Sequence, residues 1–65
     1  MKLDTHRITL MIAEKGLTLT GLSEKSGISR QSISTIMTRG TCAPLTAGKL
    51  ARGLDTPVSS ITKEG

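Results

Sequence analysis

Sixty-five residues with one cysteine, one histidine and no aromatic residue make at most one domain, held by neither an internal disulfide nor a four-ligand zinc site. The missing aromatics argue against stacking of unpaired bases, and no apolar run approaches the roughly 20 residues of a membrane span. The net charge of +4 sits in the middle of the chain, where residues 27–53 carry Arg30, Arg39, Lys49 and Arg52 without one acidic residue.

Asp4 is a good N-cap for a first helix that reaches Gly16, with Ile8, Met11 and Ile12 as its apolar stripe. Lys15 suits the negative end of that helix and Gly16 the left-handed position that closes it. Thr18 caps a short second helix over residues 19–26, with Leu22 and one edge of Leu19 facing inward. Gly27, Ile28 and Ser29 form a tight turn, as two helices meeting at a steep angle require. Ser29 caps a third helix over residues 30–39, striped by Ile33, Ile36 and Met37 and ended by Gly40. A loop through Thr41, Cys42, Ala43 and Pro44 precedes a fourth helix over residues 45–53, with Leu45, Leu50 and Leu54 expected to face the core. Gly48 inside that helix costs about 1 kcal/mol against alanine unless it permits close packing. Thr56 and Pro57 read as the N-cap and first residue of a fifth helix near residues 58–62, anchored by Val58 and Ile61. The expectation is an all-α chain of five short helices in a single domain, residues 1–65.

On a helical wheel, Gln31, Thr35 and Thr38 face away from the apolar stripe of the third helix, flanked by Ser32 and Ser34, with Arg30 at its start. A merely solvated face usually carries Lys and Glu, which are better helix formers. Short uncharged polar side chains present donors, acceptors and methyl groups, the chemistry that reads base edges in the major groove. The same helix holds no acidic residue to repel phosphates. One-signed charge across the middle of the chain attracts polyanions, although a solvated basic face has the same composition.

The stretch Lys15-Gly16-Leu17-Thr18, followed by Leu22-Ser23-Glu24-Lys25-Ser26-Gly27-Ile28-Ser29-Arg30-Gln31-Ser32-Ile33-Ser34, resembles the helix-turn-helix of the Cro/CI-type (xenobiotic-response-element) regulators. Arg39-Gly40 and Ala47-Gly48-Lys49-Leu50-Ala51 extend the likeness over roughly residues 5 to 62. The resemblance implies a compact five-helix, lambda-repressor-like domain, with a helix-turn-helix at about residues 18–39 and its third helix in the major groove. Carried onto the matching positions, it implies Arg30, Gln31 and Ser32 as leading base readers, then Ser34 and Thr35, with Thr38 added from the wheel. Thr18, Ser29, Arg39 and Thr41 become phosphate contacts. Arg30 lies toward the core edge of the wheel, so a phosphate and a guanine are both open to it. One departure stands out: the family commonly has Gln at the start of its second helix, where this chain has Leu19. That removes a backbone clamp and offers a protein contact in its place. Pro44 implies an altered loop before the fourth helix.

The resulting expectation is a sequence-specific double-stranded DNA-binding transcriptional regulator, a small phage-type or plasmid-type repressor. It is expected to act as a homodimer through its fourth and fifth helices, with Leu54, Val58 and Ile61 at the contact. The competing expectation is an interaction protein, an antirepressor or antitoxin that works through a regulatory protein partner. His6 has no nucleophile elbow, glycine-rich loop or paired acids beside it, so neither an enzyme nor a cofactor or metal site is expected. Cys42 lies in a basic loop, where a lowered thiol pKa is conceivable, but it reads better as an inert loop cysteine. Asp4 and His6 interrupt any signal-peptide core, and the lone thiol suits a reducing compartment, so a cytoplasmic location is expected. The ending from Ile61 to Gly65 fits either a terminus or a linker stub.

Overall fold

In a computed structural model that describes residues 1–63, the chain folds into α1 (Thr5–Glu14), α2 (Leu19–Ser26), α3 (Arg30–Arg39) and α4 (Pro44–Gly53), followed by one 3-10 turn, Val58–Ser60. The last two residues of the expected domain, Glu64 and Gly65, lie outside the described residues. Short polar side chains set three of the helix starts by accepting otherwise unpaired N–H groups. The Asp4 carboxylate accepts from the Arg7 N–H at 3.1 Å, the Thr18 hydroxyl from Gly21 at 3.0 Å, and the Ser29 hydroxyl from Ser32 at 3.2 Å. α4 has no side-chain cap and instead opens on Pro44, whose ring supplies a helical φ and has no N–H to satisfy. Pro44 thus belongs to the helix rather than to the loop before it.

The helix ends are equally local. Gly27 and Gly40 adopt φ of 75° and 73° and close α2 and α3. α1 closes through paired backbone bonds, from Leu17 N–H to Ile12 O at 3.0 Å and from Gly16 N–H to Ala13 O at 3.2 Å. α4 closes the same way, from Thr56 N–H to Ala51 O at 3.0 Å and from Asp55 N–H to Arg52 O at 3.1 Å. Asp55 takes the left-handed position there, with φ of 54°.

Closure of α4 at Thr56 overturns the expected fifth helix. With its N–H tied back to Ala51, Thr56 terminates one helix rather than capping the next. Ile61 must then reach the core within a few residues, and the chain does this with i→i+3 bonds from Ser60 to Pro57 and from Ile61 to Val58, each 3.0 Å. The described residues therefore contain four α-helices, not five.

Ile8, Leu22, Ile33 and Leu50 contribute one fully buried side chain from each helix, and Leu54 and Ile61 complete the centre of the core. Around them pack Leu3, Ile28, Ile36, Ala47 and Ala51, in a body of 29 × 21 × 18 Å. Leu45, expected inside, is 75% exposed. It precedes Leu50 by five positions, about 140° around the helix, so the two cannot share a face. The inward stripe of α4 is Ala47, Leu50, Ala51 and then Leu54.

Two further contacts hold the helices in place. A Cβ built on Gly53 would lie 2.8 Å from Ser26 Cβ and 3.1 Å from Ser26 Cα and N, so the end of α4 rests directly on the end of α2. The close packing considered for Gly48 is found here instead, since a Cβ at Gly48 meets nothing within 4 Å. The first residues form the second contact. They run extended between two other segments, with Lys2 bridged antiparallel to Thr41 and Leu3 to Thr62. Leu3 donates to Gly40 O and Asp4 to Ile61 O, both at 2.8 Å, while Cys42 donates to Met1 O at 3.1 Å and Lys63 to Lys2 O at 3.0 Å.

Gly53→Ala should destabilise the fold by about 1–3 kcal/mol, because Ser26 presents its Cβ and backbone, rather than the far end of a flexible side chain, to the new methyl. Gly48→Ala should stabilise it by about 1 kcal/mol through helix propensity alone. Urea unfolding followed by circular dichroism reads both, and opposite signs are the expected result.

Candidate nucleic-acid interface

α3 buries Ile33 and Ile36 and half-buries Met37, which turns the rest of the helix outward. Arg30, Gln31, Ser32, Ser34, Thr35, Thr38 and Arg39 are all exposed. Gln31, Ser32, Thr35, Arg39, Thr41 and Thr46 line one shallow depression, with Ile36 and Cys42 completing its wall. Leu19, Arg30, Gln31 and Ser34 line a second. Gln31 therefore stands on the rim common to both. Thr38 lies about two helical turns beyond Gln31 on nearly the same line of the helix.

Hydrogen bonds decide what these side chains offer. The Thr35 hydroxyl donates to Gln31 O and the Thr38 hydroxyl to Ser34 O, each at 3.0 Å. Both hydroxyl protons are thereby held by the helix backbone, and each threonine keeps an acceptor oxygen and a methyl group for an outside partner. The Ser29 hydroxyl donates to Ser32 Oγ at 2.8 Å while accepting the Ser32 N–H, so the start of α3 is tied by two reciprocal contacts. Thr18 and Ser29 are exposed at the N-termini of α2 and α3, the helix ends whose N–H groups attract anions.

The structure places other expected residues differently. Leu54 and Ile61, expected at a dimer contact, have no exposed surface and pack inside the protomer's own core. Of that set only Val58, half-buried, reaches the surface. The basic middle of the chain is also divided between faces. Arg30 and Arg39 flank α3, whereas Arg52 lines a separate depression with Gly48, Asp55 and Pro57.

One cation escaped the sequence reading. Lys2 is exposed and pairs with Thr41 in the antiparallel bridge, and residues so paired project to the same side. That brings Lys2 to the end of α3 where Thr41 and Arg39 share a depression. The only sequence trace is the alternation Lys2-Leu3-Asp4, too short to register as a strand.

Among the described residues no group of three His, Cys, Asp or Glu side chains lies close enough to hold a metal ion, and no helix is long and apolar enough to cross a membrane. Cys42 does not acquire the lowered pKa that a basic loop would give. Burial pushes its thiol up from the ordinary value, and the nearby Met1 ammonium, which donates to Cys42 O at 3.1 Å, only partly opposes this. At pH 8, iodoacetamide should alkylate the native chain more slowly than the urea-unfolded chain, with the inflection of rate against pH displaced upward. Faster labelling of the native form would show an activated thiol. In comparison with known proteins, the chain matches no family model, no curated protein and no solved structure.

Proposed function

We propose that this chain is a sequence-specific double-stranded DNA-binding transcriptional regulator, a small phage-type or plasmid-type repressor of Cro/CI type. In this reading α2 and α3 form a helix-turn-helix, and α3 enters the major groove. The observation that carries it is the exposed face of α3, where Arg30, Gln31, Ser32, Ser34, Thr35 and Thr38 stand together without an acidic neighbour on the helix. Gln31 pairs bidentately with adenine, Arg30 forks onto guanine or a phosphate, and the threonine methyls meet thymine methyls. Thr18 and Ser29 meet phosphates at their helix N-termini, and Arg39 and Thr41, joined by Lys2, hold the backbone beyond the other end of α3. The motif resemblance over residues 15–51 points the same way.

So small a body makes few phosphate contacts, which favours two copies on half-sites about 34 Å apart. With Leu54 and Ile61 enclosed, such a dimer is assembled through other surface, Val58 included. The exposure of three leucines, Leu10, Leu19 and Leu45, favours a second reading, in which the chain acts as an antirepressor or antitoxin on a protein partner.

Selection from a randomised duplex pool, with the best site then titrated across salt, tests the first reading. Recovery of a two-fold symmetric motif is expected, and enrichment of no sequence would sink it. On the selected site, Gln31→Ala should cost about 1–3 kcal/mol and relax selectivity at one base pair. Arg39→Ala and Lys2→Ala should each weaken all duplexes alike and reduce the slope of log K against log salt by about one.

A further inference from the structure

A single exposed leucine on a protein surface is ordinary and signifies nothing by itself. The surroundings of Leu19 are what carry an inference. It is the first residue of α2 and is 43% exposed, whereas the preceding Leu17 packs against the core. The capping of α2 is done by the Thr18 hydroxyl, so Leu19 is not needed to start the helix. Its side chain instead lines an open depression with Arg30, Gln31 and Ser34, on the outward side of α3. Leu19 is thus an apolar group set among the polar side chains proposed to meet base edges.

We infer that Leu19 is a specificity-determining residue that selects duplexes carrying a thymine beside the base pair met by Gln31, through contact with the thymine C5-methyl group. This rests on the proposed function of the α3 face. The physical ground is that the thymine methyl is the one methyl group the major groove offers; cytosine presents only a C5–H at that position, and the other recognition groups there are donors or acceptors. A leucine placed against a donor or acceptor loses that group's hydration without replacing it, so the same contact disfavours the other bases. Gln31 recognises adenine through a bidentate pair, and the two side chains sharing one depression would read a short A·T-rich step together. A protein partner fits the spot less well. A protein interface centres on a cluster of large apolar and aromatic anchors, whereas here a single leucine stands among Arg30, Gln31 and Ser34. Leu10 contributes nothing to it, since it lines a different depression with Arg7, Met11 and Lys15.

The test replaces each thymine of the selected duplex, one at a time, with deoxyuridine, which removes the C5-methyl and leaves base pairing intact. For the unaltered chain, one position per half-site should lose affinity about threefold to tenfold, the range expected for one methyl group withdrawn from an apolar contact. Leu19→Ala should bind the thymine and uracil duplexes alike at that position, while Arg39→Ala keeps the full discrimination. The scan on the unaltered chain requires no variant, so a poorly folding Leu19→Ala would not remove the test. Indifference of the unaltered chain to every replacement, or discrimination that persists in Leu19→Ala, overturns the role of Leu19 and leaves duplex binding standing. Absence of binding to any duplex, even at low salt, overturns the inference together with the reading beneath it, and leaves Leu19 to a protein contact.

Discussion

Direct contact of Gly53 with Ser26 fixes the geometry on which the α3 face depends. Without a side chain, the last residue of α4 comes to rest on the backbone of the last residue of α2. Ser26 is itself buried, and its hydroxyl accepts the N–H of Ile28 at 3.2 Å inside the turn that follows. Ile28 is buried as well, so the turn is pinned from both its backbone and its side chain. A shift of α4 by the width of a methyl group would therefore pass through Ser26 into the turn and alter the direction in which α3 leaves it. Interiors packed at near-crystalline density transmit such shifts rather than absorb them.

The far end of α3 is held by different means. Gly40, which closes the helix, accepts the Leu3 N–H at 2.8 Å, and the following loop is bridged to the first residues at Lys2 and Thr41. Leu3 is buried beneath this stitch, and Asp4 passes directly from it into the cap of α1. α3 is thus held at its start by α2, which α4 backs through Ser26, and at its end by the extended N-terminal segment. Its middle is anchored by Ile33 and Ile36. These supports matter because the helix is poor in intrinsic formers: among its ten residues are two serines, two threonines and two isoleucines, all worse than alanine, lysine or glutamate.

What the sequence disclosed and what it concealed divide along the same physical line. Helix boundaries depend on side chains within a few positions of one another, and Thr18, Ser29, Gly27 and Gly40 mark the limits of α2 and α3 where the structure has them. The outward face of α3 was legible for the same reason, being fixed by a three-residue apolar stripe on one helix. Contacts between distant segments were not legible. Nothing near Gly53 says that it meets Ser26, and Gly48 looks the better candidate because it interrupts the helix interior. Lys2 reaches the α3 end only because an extended segment folds back to Thr41. Leu45 and Leu50 look like one stripe by spacing alone but lie about 140° apart on the helix, and Thr56-Pro57, with the composition of a helix start, follows a helix end.

The placement of Ser and Thr on α3 then has a definite consequence for the proposed mode of reading. A face of Lys and Glu would have stabilised the helix and solvated it, without the methyl groups and compact hydroxyls that Ser and Thr present. The face that exists is stabilised elsewhere, by the Gly53 contact and the N-terminal stitch, which frees its residues from helix-forming duty. Thr35 and Thr38 go further, because donating their hydroxyl protons to Gln31 O and Ser34 O limits the rotation of their side chains. Groups already fixed before a partner arrives lose less entropy on binding, and they reject a mismatched partner more sharply because they cannot rearrange to meet it. Gln31 and Arg30, longer and with more rotatable bonds, stand at the rims of the depressions, where a side chain can adapt to what it meets. On the proposed reading, two tasks are separated along one helix: short, fixed side chains set shape and methyl contacts, and two long ones supply the directional hydrogen bonds.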